Sequence, residues 1–148
     1  MAEIDLEMST DEEQYDDDFG YMQFNEIDAW DCNVSADFPH APTYYFAIHI
    51  WGDESGPSEL QRKRIRWLKR EYSSLWPEIA ETICNLHPDL KKASQVAAAM
   101  RDWVLVHLGE HGEESVEMVY DLDLPDEGNR GFFISVSDLG ITKAFVAD

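Results

Sequence analysis

The sequence predicts an α+β domain in which an N-terminal strand leads through two or three central helices to a C-terminal antiparallel sheet. Three features carry this prediction. Tyr44 to Trp51 is a nearly unbroken apolar run rich in aromatic and β-branched residues, as a strand with a buried face requires. Ser58-Glu59-Leu60-Gln61 is a capping-box pattern placed ahead of an amphipathic stretch. From Trp103 onward, short β-type runs alternate with turn clusters of Gly, Asn and Asp.

Residues 1–40 hold 13 acids and no Lys or Arg, and read as a partly ordered acidic arm on a single domain spanning 41–148. The run Asp16-Asp17-Asp18, behind Asp11-Glu12-Glu13, repels itself and favours a solvated stretch. Phe19, Tyr21, Phe24, Ile27 and Trp30 are too apolar for a wholly solvated tail, so residues 19–34 are expected to add a strand or turn, with Gly20 and Asn25 as breaking points. Pro39 and Pro42 mark the entry to the strand at 44–51, and Gly52 to Pro57 is a turn. In the helix that follows, Leu60, Ile65, Leu68, Tyr72 and Leu75 form the inward stripe. Arg62, Lys63, Arg66, Lys69 and Arg70 share another face, while Arg64 falls among the apolar positions. Pro77 is expected to break this helix or to open a second one, with Ile79, Ala80 and Ile83 inward and an end at 85–88. Leu90 to Met100 favours a short helix. Strands are expected at 103–108, 116–122, 132–136 and 141–146, with turns at 109–112, 126–131 and 138–140.

The chain has 148 residues and a formal net charge of −20. That charge disfavours wrapping DNA or lying on anionic lipid, since both need a cationic footprint, and makes a basic protein the natural partner. With 44% hydrophobic residues, the chain has the material for a core. No apolar run approaches the roughly 20 residues of a membrane-spanning helix. The acidic start lacks the cationic and apolar segments of a secretory signal, so a cytoplasmic location is expected. In that setting the sequon Asn33-Val34-Ser35 carries no chemical meaning. Cys32 and Cys84 are too few for a disulfide framework and lack zinc spacing. With no glycine-rich phosphate cradle, dinucleotide fingerprint or serine elbow, no cofactor, metal or catalytic residue is expected.

Several side-chain groups invite a second reading. His107 and His111 are four residues apart, a metal-ligating interval on a helix, but Gly109 and Gly112 make an ordinary strand-end turn the preferred reading. Asp121, Asp123, Asp126 and Glu127 form a carboxylate cluster that lacks a calcium-loop pattern and reads as a solvated hairpin tip. Together these groups define the alternative from another class, a small metal-dependent hydrolase. The thiols are poor nucleophiles: Cys84 sits on an apolar helix face and Cys32 among acids. The cationic stripe at 62–70 suits either an external phosphate or RNA, or more economically the chain's own N-terminal carboxylates.

The order of an apolar strand, Gly56-Pro57-Ser58-Glu59-Leu60-Gln61 opening a helix, and a closing sheet with Phe132-Phe133-Ile134-Ser135-Val136 and Ile141-Thr142-Lys143-Ala144-Phe145 resembles a set of small uncharacterised bacterial domains grouped with polymorphic-toxin immunity proteins. The likeness covers residues 43–148 and is strongest at Pro57 to Gln61. It implies a non-catalytic inhibitor that occludes a basic toxin or nuclease surface. The residues expected to engage such a partner are Asp11, Glu12, Glu13, Asp16, Asp17 and Asp18, with Tyr15, Phe19 and Tyr21 as apolar anchors. A DNA mimic blocking a DNA-binding protein, and an accessory subunit of a phage or mobile element, are alternatives within the binding class.

Overall fold

The computed structural model describes residues 13–25, 28–36, 38–40, 44–109, 115–125 and 127–147. Asp11, Glu12, His111 and Asp126 lie outside the described residues. The α+β mix is present, in a layout different from the expected one. Among the described residues, eight strands form a single sheet in chain order: β1 (Gln14–Asp16), β2 (Gly20–Phe24), β3 (Ala29–Ser35), β4 (Tyr45–Trp51), β5 (Trp103–Leu108), β6 (Val116–Leu124), β7 (Gly128–Ser137) and β8 (Gly140–Ala147). Four strands, where the strand at 44–51 and an added strand or turn within 19–34 were expected, precede the helices α1 (Glu59–Leu86) and α2 (Ala93–Ala99). All neighbouring pairs are antiparallel except β4 and β5. A parallel pair needs a long crossover, and α1 and α2 supply it. Strands of this one sheet therefore lie on both sides of residue 40, the position suggested as the border between arm and domain.

Local chemistry explains the N-terminal strands. Asp16 Oδ1 accepts from the Asp18 and Phe19 amides at 2.8 and 3.2 Å, and Gly20 adopts φ 70°, so the acid run closes a tight turn between β1 and β2. Asn25 Oδ1 accepts from the Asp28 and Ala29 amides and turns the chain into β3. On β3, Trp30, Cys32 and Val34 are buried while Asp31, Asn33 and Ser35 are exposed, the period of two that faces one side of a sheet inward.

The capping box is present in full: Gln61 N donates to Ser58 Oγ at 3.1 Å and Gln61 Oε1 accepts from Ser58 N at 2.9 Å. Gln61 does more than cap. Its Nε2 donates to the carbonyls of Trp51 at 2.6 Å and Gly109 at 2.9 Å, joining the helix start to the ends of both parallel strands. Gln61 therefore takes the inward position at the first turn, and Leu60, rotated about 100° away from it, is 47% exposed instead of core. Ile65, Leu68 and Tyr72 are buried as expected, and Trp76 lies deeper than Leu75.

Pro77 neither breaks α1 nor starts another helix. An interior proline costs about 3 kcal/mol. Trp76, Ile79, Ala80 and Ile83, which flank it, are all buried, and burying a side chain the size of isoleucine returns about 1.5–3 kcal/mol, so packing outweighs the penalty. Both helices lie against the side of the sheet that carries Phe46, Ile48, Val106, Met118, Tyr120 and Ile134, which are at most 2% exposed. A polar thread runs through this core: His40 Nε2 meets Tyr72 OH at 3.1 Å, and Tyr72 OH meets Tyr120 OH at 3.0 Å.

Candidate functional site

The acids expected to reach a partner divide into two groups. Arg62 contacts Asp16 at 2.6 Å and Asp18 at 3.3 Å, and Arg66 grips both oxygens of Asp18 at 2.7 and 2.8 Å. Lys69 donates to the Asp18 carbonyl at 2.7 Å. The Arg66 guanidinium, helped by Arg62, holds the Asp18 carboxyl below its usual range against the opposing effect of burial. Phe19 is fully buried beneath this clamp, with the Arg62 guanidinium 6.0 Å from its ring. Asp16, Asp18 and Phe19 thus hold the β1–β2 hairpin to α1. This corrects their assignment to an outward patch: Arg62, Arg66 and Lys69 of the cationic stripe are met by the chain's own N-terminal segment, the more economical of the two readings of that stripe. Arg70 pairs with Glu71 at 3.1 Å, and Lys63 is exposed. Glu13, Tyr15, Asp17 and Tyr21 remain outward, with Tyr15 and Tyr21 packed edge to face at 5.2 Å and each more than 60% exposed.

The outward tyrosines belong to a larger surface. Among the described residues, no element covers the sheet face opposite the helices. Strand register aligns two rows across it. The polar row is Gln23, Asp31, His49, His107, Glu117, Ser135 and Lys143, one residue from each of β2 to β8. The adjacent row is Asn33, Ala47, Leu105, Val119, Phe133 and Phe145, apolar from Ala47 onward. Phe133 and Phe145 stack with ring centres 4.9 Å apart. Gly131 makes room for Phe133, since a Cβ there would lie 3.3 Å from its ring.

At the β2–β5 end the face sinks into a depression of about 450 Å³ bordered by Glu13, Tyr21, Asp31, Asn33, His49 and Leu105. None of its lining residues is Lys or Arg. His49 Nδ1 and Asp31 Oδ1 are 2.6 Å apart, and the His49 and His107 rings lie 5.7 Å apart with Trp51 beside both. Burial lowers the His107 pKa, opposed by Glu117. Cys32 lies under the depression, its thiol pushed up to about 12 by burial with help from Asp31 and Asp16, and burial also raises Cys84. Neither thiol has the environment of a nucleophile.

The described members of the alternative hydrolase set are not gathered into one site. His107 lies opposite Glu117 on the open face. The far end of β6 at Leu124 is seven residues further on, a span of roughly 23 Å. Glu127, beyond that end, contacts His87 at 2.7 Å and Arg130 at 2.7 Å. His87, Asp89 and Glu127 do place ligand-type atoms within 4.8 Å of one another. Yet the Asp89 amide donates to His87 Nδ1 at 3.2 Å, which leaves the ring proton on Nε2, donating to Glu127. With Nδ1 accepting and Nε2 donating, neither ring nitrogen keeps a lone pair for an ion, so this group fits a tether between the end of α1 and the β6–β7 turn better than a metal centre. Among the described residues no helix is long and apolar enough to cross a membrane.

Sequence reasoning missed the open face because its rows exist only once strand register is known. The alternation of His49 with Ile48 and Ile50, and of His107 with Val106 and Leu108, was the available signal. No protein-family model, curated protein or solved structure matches the chain.

Proposed function

We propose that this protein is a non-catalytic binding protein whose anionic exterior engages a cationic protein, acting as an immunity-type inhibitor that occludes a basic toxin or nuclease surface. One observation carries the reading. Three of the five residues on the cationic face of the chain, Arg62, Arg66 and Lys69, are occupied by Asp16 and Asp18, so a molecule of net charge −20 turns an anionic field outward. Such a field raises encounter rates with a basic surface and lowers them with nucleic acid or anionic lipid. Inhibition then works by covering the partner's cationic site, with no bond made or broken by this chain. The test is co-expression with a basic toxin or nuclease domain encoded beside it. A 1:1 complex in which the partner's activity is lost is expected, and two proteins that purify separately with full partner activity contradict the proposal.

A further inference from the structure

We infer that the open sheet face is the docking surface, and that it seats a basic, leucine- or aromatic-bearing segment of the partner. One Arg or Lys of that segment enters the depression between Glu13 and Asp31, and its apolar side chains lie along Ala47, Leu105, Val119 and Phe133. The inference rests on the binding function proposed above and adds its location and the chemistry of its occupant.

Size, composition and charge support it. Eight strands at about 4.8 Å spacing and some seven residues at about 3.3 Å give a face of roughly 700 Å², close to the ~800 Å² per partner of a standard interface. Three of the five large hydrophobic side chains most exposed among the described residues, Tyr15, Tyr21 and Phe145, stand at its two ends. Aromatic side chains beside charged ones are the usual makings of an interface anchor. Charge selects the occupant. Asp31, with 56% of its side chain exposed, and Glu13 border a depression lined by no Lys or Arg, and Glu117 continues the polar row. A second copy docked face to face would oppose these carboxylates with only Lys143 of the polar row to answer them, on a molecule of charge −20. An arginine is matched to such a site, since its guanidinium both pairs with carboxylate and stacks on tyrosine.

Two labelled 12-residue peptides test this, one repeating Arg-Leu-Ser-Gly and one with Ser in place of each Leu, titrated into the full chain at 20 and 150 mM salt. At 150 mM the leucine peptide is expected to bind at least tenfold more tightly, with amide shifts concentrated at 31–33, 47–51, 105–107 and 117–119. Asp31→Arg is expected to weaken it about tenfold, and Glu81→Arg, the same charge change on exposed α1, less than twofold. Equal affinity for the two peptides, or equal loss in the two variants, overturns the face as the seat and leaves the anionic-exterior reading standing. No binding of either peptide at 20 mM overturns both. Amide shifts on this face that follow dilution of the protein alone identify a second copy as the occupant and overturn the inference.

Discussion

Gln61 shows how much one polar side chain can organise. Its carboxamide accepts from the Ser58 amide and donates to the carbonyls of Trp51, in β4, and Gly109, just past β5, and the residue is 3% exposed. Gln61→Leu keeps the bulk but leaves those groups unpaired, each at about 1–3 kcal/mol. A loss of about 2–4 kcal/mol in urea unfolding is expected. His40 carries a pH-dependent counterpart. Burial brings its pKa down to about 4 from 6.5. The unfolded chain therefore binds a proton that the folded chain refuses between pH 6.5 and 4. Stability is fully present above 6.5 and falls as the pH drops through that window. Discounted for partial exposure, the loss is expected to be about 2 kcal/mol at pH 4. His40→Phe, measured by urea unfolding at pH 4, 5, 6 and 7, should remove this part of the slope. The helix start was legible at this scale because Ser58 and Gln61 are three residues apart in sequence. The role of Gln61 at Gly109 was not, since its partner is 48 residues away.

At the scale of elements, the β1–β2 hairpin and α1 are joined by charge above and Phe19 below. Asp18→Asn removes the forked partner of Arg66 and is expected to cost about 1–2 kcal/mol, because the pair is charge-assisted and two-pronged but lies near the surface. Faster hydrogen exchange confined to residues 14–24 should accompany it. Combining it with Arg66→Gln should cost less than the sum of the two, since each removes the same contact. The acid run looked like a solvated arm because its repulsion is local while its relief comes from a helix 44 to 48 residues further on. Pro77 misled for the same reason: the penalty is readable in the chain and the packing that exceeds it is not. Turn chemistry at Gly20 and Asn25 and the β-rich composition of 44–51 and 103–108 are short-range, and their elements stand where the sequence placed them. The parallel pairing of β4 with β5 depends on a crossover of some 50 residues, and no local signal reports it.

At the scale of the molecule, the sheet has α1 and α2 on one side and, among the described residues, no element on the other. Internal pairing occupies Arg62, Arg66 and Lys69, and the open face sets a polar row carrying Asp31 and Glu117 beside an apolar one from Ala47 to Phe145. This arrangement suits fast capture followed by apolar contact: long-range charge sets the encounter rate and desolvated side chains set the lifetime. The most direct test is the association rate constant with the basic domain proposed as partner, measured by stopped-flow fluorescence between 20 and 500 mM salt. A fall of about 100-fold across that range is expected from screening of the outward field, with a much smaller change in the dissociation rate. An association rate that stays constant with salt contradicts capture by the anionic exterior.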